Sequence, residues 1–123
     1  MTSILRHGTN ARMSHIVVHN GTVYLAGAVA AAFDQGIEAQ TREALADVEA
    51  SLLRVGSNKS HMLTAQIWLR DIARDFAAMT AVWEAWLPAG AAPARATCQA
   101  QMADPQILIE VIVTAALVPS DVA

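Results

Sequence analysis

The spacing of apolar positions along the chain switches between a period of two and a period near 3.6, and each switch marks the edge of an element. Residues 15–19 and 22–29 are rich in β-branched side chains and flank Asn20-Gly21. That pair suits the positive φ angles of a type I′ turn, so the two runs read as a hairpin. Gly27, inside the second run, signals a bulge or a close backbone approach. After Phe33-Asp34-Gln35-Gly36 the period lengthens. Ile37, Leu45, Val48, Leu52 and Val55 share one side of a helix over 37–55, and Gly56 is placed to end it. Alternation returns at Leu63, Ala65, Ile67 and Leu69, which predicts a third strand with Thr64, Gln66, Trp68 and Arg70 on its other face. A second helix is expected over 75–87. Phe76, Met79, Trp83 and Trp86 form its apolar stripe, Asp75 is its start residue, and Pro88 and Gly90 stop it. Two further strands lie within 94–117, joined by Met102-Ala103-Asp104-Pro105-Gln106. The order is β-β-α-β-α-β-β, an α+β sheet with both helices on one face, in one domain covering 1–123. The opposite face also needs cover, and association of subunits is the natural way to provide it.

Composition sharpens this in three respects. Apolar residues make up 54% of the 123 and charged residues 15%, which leaves apolar surface exposed on a monomer and favours an oligomer. The formal net charge is −3 and no basic run is present, which argues against nucleic acid as a partner. A single cysteine, Cys98, permits no internal disulfide. With no signal-peptide core and no apolar run near the ~20 residues that span a bilayer, a soluble cytoplasmic protein is expected.

Candidate chemistry concentrates near the C-terminus. Arg95, Thr97, Gln99 and Gln101 form one row of a strand, and Ala94, Ala96, Cys98, Ala100 and Met102 form the row behind it. In the last strand Leu108, Glu110, Ile112 and Thr114 share a face opposite Ile109, Val111, Val113 and Ala115. Two reasons can place Arg95 and Glu110 in sheet. They can form a structural ion pair or sit at the solvent rim. Or they can form a site, in which the guanidinium grips a carboxylate through two hydrogen bonds and the glutamate orients or deprotonates a water. The residues alone leave both open.

Several stretches resemble the Rid family (reactive intermediate deaminases, the YjgF-like proteins). They are Asn20-Gly21-Thr22-Val23-Tyr24-Leu25-Ala26-Gly27, Gln40-Thr41, residues 69–86, Pro93-Ala94-Arg95-Ala96-Thr97 and Leu108-Ile109-Glu110-Val111-Ile112-Val113. The spacing from Pro-Ala-Arg to Glu110 is the most specific of these features. Gly56-Ser57-Asn58-Lys59-Ser60 and the residues around Trp83 look closest to a YoaB-like branch. The resemblance implies a chorismate-mutase-like α+β fold with a mixed sheet, a homotrimer with sites between subunits, and no metal or organic cofactor. It also implies hydrolysis of 2-imino or 2-enamino acids, such as 2-aminoacrylate and 2-iminobutanoate, to 2-oxo acids and ammonia. Arg95 matches the arginine that binds the substrate carboxylate, and Glu110 the residue that positions water. Thr97 falls where many members carry a cysteine of the site. Cys98, one residue on, points to the other face and is not assigned to the chemistry. Two pocket positions depart from the family: Met13 stands where many deaminases have a tyrosine, and Ala26 where they have a serine. Arg12 lies beside Met13. These departures keep an alternative in play, a non-catalytic trimeric binder of small carboxylates or 2-oxo acids. Ribonuclease or translation-inhibitor roles described for some members run against the acidic balance of this chain.

The remaining polar and aromatic residues suggest structure. His15 and His19 share a strand face without a third ligand, and His7 and His61 are isolated, so no metal is expected. Trp68, Trp83, Trp86 and Tyr24 read as core or interface packing, and Ser57, Asn58 and Ser60 as loop chemistry.

Overall fold

The architecture is taken from a computed structural model, which describes residues 3–119. Six strands, β1 (Leu5–His7), β2 (Ile16–His19), β3 (Thr22–Leu25), β4 (Met62–Leu69), β5 (Ala94–Gln99) and β6 (Ile109–Ala116), form one sheet in the order β1-β2-β3-β6-β4-β5. Only β4 and β5 run parallel; every other pair is antiparallel. The helices α1 (Ile37–Arg54) and α2 (Ile72–Trp86) cover one face, as the apolar pattern predicts. Asn20 and Gly21 both adopt positive φ, 52° and 76°, which confirms the tight turn between β2 and β3. Gly56, at φ 88°, ends α1 as expected.

Every second residue of the central strands enters the core. Val23 and Leu25 of β3, Ala65, Ile67 and Leu69 of β4, and Ile109, Val111, Val113 and Ala115 of β6 pack against Leu45, Val48 and Leu52 of α1 and Met79 and Trp83 of α2. Burying one such Leu, Ile or Val stabilises by about 1.5–3 kcal/mol. A surface ion pair like Lys59–Glu49 contributes about 0–1 kcal/mol. The helix–sheet interface therefore holds the fold. The other face carries Tyr24, Thr64, Gln66, Trp68, Glu110, Ile112 and Thr114, all exposed or half-buried, and no element among the described residues packs over it. Thr64 and Thr114 share a hydrogen bond across β4 and β6 on that face.

Four details differ from the sequence-based expectation. A further strand, β1, precedes the hairpin and pairs with β2; its three residues are too few and too exposed to show alternation. A register shift between Met62 and Thr64 turns Leu63 out to solvent and sends Met62 into the core instead. α2 begins at Ile72, because Asp71 rather than Asp75 caps it by accepting the Arg74 N–H at 3.1 Å. Asp75 lies one turn inside, 3% exposed, gripped by Arg74 Nε and Nη2 at 2.9 and 2.8 Å. Finally, β3 stops at Leu25, short of residue 29. The chain rejoins the sheet at Ala28, whose N–H and carbonyl both bond Val111. Gly27 lies in this gap, the close backbone approach foreseen for it.

Candidate functional site

Glu110 stands on the open face of β6, paired in register with Trp68. What crowds it is backbone. A Cβ added at Gly27 would lie 2.8 Å from Glu110 Cδ and 3.0 Å from its Cγ, and would overlap Oε2. Only glycine lets the 26–28 segment close on this carboxylate. Burial pushes the Glu110 carboxyl above the ordinary carboxylate range, and neither a hydrogen bond nor a cation opposes that shift. Arg70 hydrogen-bonds Leu108 through its backbone, yet no ion pair between Arg70 and Glu110 forms. A half-buried, unpaired carboxylate with a raised affinity for protons is suited to moving a proton to or from water.

Side chains of α1 fix the loop that follows this segment. Gln40 of α1 is fully buried; its Nε2 donates to the carbonyls of Phe33, Gln35 and Gln106 at 3.0–3.1 Å, and its Oε1 accepts the Leu108 N–H at 3.0 Å. One side chain thus ties the loop after Gly27 to the connection that leads into Glu110. Glu43 adds to this by accepting a hydrogen bond from Gln35 and from the amides of Ala31 and Ala32, which together hold its carboxyl below the ordinary range. Ala26 donates its N–H to the His15 carbonyl at 3.0 Å. Met13, 49% exposed, sits in a turn capped by Asn10 two residues before His15, so the 10–15 segment meets the site at Ala26.

Arg95 lies elsewhere. β5 is the edge strand, and Arg95 pairs with Ala65, Thr97 with Ile67 and Gln99 with Leu69, all three partners facing the helices. The polar row of β5 therefore turns towards α2, and Ala94, Ala96 and Cys98 are exposed with Cys98 beside Trp68 on the open face. Arg95 Nη2 donates to Thr80 Oγ1 at 3.4 Å, and its Cζ lies 5.5 Å from the centroid of Phe76 and 5.9 Å from that of Trp83. Thr97 Oγ1 is the one buried side-chain polar atom without a hydrogen-bond partner among the described residues. Gln99 accepts the Ile72 N–H at the start of α2.

These positions exclude a direct ion pair between the two charges within one chain. Arg95 and Glu110 are on opposite faces of the sheet, two strands and three residues apart, about 14 Å between Cα atoms by sheet spacings. They form no ion pair; among the described residues the ion pairs are Lys59–Glu49 and Arg74–Asp75. The structure brings Glu110 against Gly27, next to Ala26, and it groups Arg95 with Thr97, but it does not bring the two groups together within one chain; Met13 lies in the turn before His15 and has no contact shown with Glu110. Gly27 and Gln40 belong with Glu110 and were readable only in part: Gly27 as a glycine inside a β run, Gln40 as a polar residue on the apolar side of α1, level with Ile37 and Ala44. Among the described residues no cluster of three or more His, Cys, Asp or Glu is arranged to hold a metal. His15 bonds Ser51 and His19 bonds Asn20. No helix among these residues is long and apolar enough to cross a membrane.

Comparison with known proteins supplies the wider context. Residues 4–117 match the family model described as endoribonuclease L-PSP. The chain is 43% identical over 115 residues to the RutC family protein YoaB of Escherichia coli K12, covering 94% of this chain and 99% of that one. Among solved structures, NMB1025 of Neisseria meningitidis, a member of the YjgF family, superposes with a TM-score of 0.89 at 38% identity, over 96% of this chain and 98% of the other. YyfA of Yersinia pestis, from the Rid family, shares the fold with a TM-score of 0.84 at 21% identity, over 95% and 100%. The likeness to a YoaB-like branch read from the sequence is borne out.

Proposed function

Because the chain belongs to the endoribonuclease L-PSP family, the YjgF or Rid proteins, we propose that it hydrolyses small 2-imino and 2-enamino acids to 2-oxo acids and ammonia. The observation that carries the reading is the pair of unpaired charges. Among the described residues Arg95 holds a guanidinium with no acid partner, and Glu110 holds a half-buried carboxylate with neither cation nor hydrogen bond. Each has the form of a group awaiting a ligand.

The substrate carboxylate binds Arg95, with the Thr97 hydroxyl next to it on the same row. An enamine first takes a proton at C3 to become the imine. Glu110 accepts a proton from water as its oxygen attacks C2 and returns it to the nitrogen; the C2 hydroxyl then gives up its proton through the same carboxylate as the carbonyl forms and the C–N bond breaks, releasing ammonia. Imines hydrolyse unaided, so positioning plus one charge-assisted clamp is enough to accelerate the step. No metal or organic cofactor enters. Since the two groups lie on opposite faces, Arg95 of one copy acts with Glu110 of another. A homotrimer, which covers the open face of each sheet, supplies that arrangement in a cytoplasmic protein.

The test uses nascent 2-iminobutanoate and a lactate-dehydrogenase-coupled readout of 2-oxobutanoate. Arg95→Ala abolishes turnover and leaves the fold intact, and Glu110→Gln lowers turnover while ligand still binds. Co-refolding these two inactive variants then restores about one quarter of wild-type activity, because random mixing gives that share of clefts both native residues. Wild-type turnover by purified Arg95→Ala protein sinks the mechanism; no restoration on mixing sinks the shared site.

A second reading is favoured by Met13 and Ala26, which lack the hydroxyl groups of the usual site tyrosine and serine. In it the trimer binds 2-oxo acids without turnover. Tight binding of 2-oxobutanoate by protein that leaves every imine untouched would establish that reading over the first.

A further inference from the structure

We infer that helix α2 provides an uncharged seat, made by Phe76, Thr80 and Trp83, that orients the Arg95 guanidinium and leaves its positive charge free for a ligand anion. The inference rests on the reading of Arg95 as a carboxylate anchor. The three residues are four and then three apart on α2, so they share one helix face, and that face looks onto the polar row of β5. The two aromatic rings, at 5.5 and 5.9 Å, attract the cation through their faces but present no acceptor to its N–H groups. Thr80 accepts one hydrogen bond, and at 3.4 Å it is a long one. The remaining donors of the planar fork have no partner among the described residues.

An acidic residue in this seat would hold the guanidinium equally still and would cancel it. The nearby acids do not do so. Asp75 is occupied by Arg74, and Glu84, one turn beyond Thr80, makes no ion pair with Arg95. Two independent features agree that the guanidinium expects a further group. The Thr97 hydroxyl, two residues along the same row, is buried and unpartnered. Phe76, a large apolar residue, remains 41% exposed beside the guanidinium, whereas Trp83 beneath it is 4% exposed. Orientation comes from π faces and a neutral hydroxyl, and the full charge is kept for the ligand. Such pre-organisation strengthens binding because less ordering is left to do when the anion arrives. Phe76 and Thr80 are thus positioning residues that act through Arg95.

Calorimetric titration with 2-oxobutanoate, paired with thermal melts, tests this without any turnover. Thr80→Val keeps the shape and removes the acceptor; it is expected to weaken binding roughly threefold to tenfold, the effect of one orienting hydrogen bond. Thr80→Ser is expected to bind as wild type does. Phe76→Leu is expected to weaken binding with little change in melting temperature. The decisive variant is Thr80→Asp. It creates a carboxylate against the guanidinium, so the melting temperature holds or rises while binding falls at least about tenfold. A merely structural role for Thr80 would leave the two readouts moving together. If wild type binds 2-oxobutanoate and both Thr80→Val and Thr80→Asp bind it equally well, the seat is refuted and the anchor survives. If wild type binds no small carboxylate at all, the anchor reading itself fails and the seat with it.

Discussion

Replacing Gly27 by alanine adds one methyl group in a place where its consequence can be worked out. Gly27 has no positive φ, so the backbone accepts alanine and the effect is one of contact alone. The new Cβ would sit 2.8 Å from Glu110 Cδ, where carbon atoms prefer about 3.5–4.0 Å. Either the backbone retreats or the carboxylate does. The backbone is held on either side of Gly27 by the two Ala28–Val111 hydrogen bonds, at 2.8 and 2.9 Å, and by the Ala26–His15 bond at 3.0 Å. Glu110, half-buried and unbonded, is the softer partner. Overpacking costs about 1–3 kcal/mol in a closed core; a side chain that can turn towards solvent puts this case near 1 kcal/mol. For a chain of this size that is a fall of about 3–6 °C in melting temperature. The loss of function should be far larger. A positioned acid or base contributes about 10²–10⁴-fold, so displacing Glu110 is expected to lower kcat about a hundredfold. Binding of 2-oxobutanoate, which the proposed mechanism assigns to Arg95, should change less than about threefold. Melting scans, calorimetry and the coupled iminobutanoate assay measure the three quantities. Wild-type kcat in a folded Gly27→Ala protein would show that the close approach does not place the catalytic carboxylate.

Three further outcomes follow from the same geometry. The Glu110 carboxyl is raised by desolvation, so the folded state holds its proton more tightly than the unfolded chain does, and stability contributed by this group is lost as pH rises from the ordinary glutamate range through the folded value. Glu110→Gln should therefore gain on wild type in urea midpoint as pH rises through that window, and the activity of wild type should rise along the same limb; a difference independent of pH would contradict the burial. Gln40→Leu strands the Leu108 N–H and removes the donor to three carbonyls, which should cost about 3 kcal/mol and lower the urea midpoint at unchanged m-value; an unaltered midpoint would mean the network is dispensable. Thr97→Val removes an unpartnered buried hydroxyl, so it should hold or raise stability, by up to about 1 kcal/mol, while weakening carboxylate binding; calorimetry and melts together check both signs.

Sequence pattern reached the elements wherever the immediate neighbours obey the same period. The hairpin at Asn20-Gly21, α1 and the inward row of β6 needed no more than alternation and turn chemistry. It missed where one residue breaks step. Leu63 continues the alternation of β4 on paper, but a local register shift exchanges it for Met62. Ile72 and Asp71 extend α2 by a turn, and Asp75, four residues after Asp71, offers the same capping chemistry to anyone reading the sequence alone. Phe76 has the right spacing for the core stripe of α2 but is kept at the surface, beside Arg95. Gln40 lies on the apolar side of α1, where a leucine would be expected. Two of its four partners, Gln106 and Leu108, come from a segment distant in the chain, and periodicity carries no trace of them.

The faces of β5 show the deepest limit. Alternation says which residues share a side and is silent on which side meets the helices. Hydropathy would turn Ala94, Ala96 and Cys98 inward. The parallel register with β4 turns Arg95, Thr97 and Gln99 inward instead. The edge position makes this possible: the Arg95 guanidinium lies against Phe76, Thr80 and Trp83 of α2 and the residue stays half-buried. The small outward residues leave the open face of the sheet flat beside Trp68 and Glu110. The thickness of the sheet thus separates the two charges that the motif spacing links. Chemistry that uses both requires Arg95 of one copy to meet Glu110 of another, so a folded monomer would carry every residue of the proposed mechanism and no site. Association is then a condition of turnover, and mixing two inactive variants measures it directly.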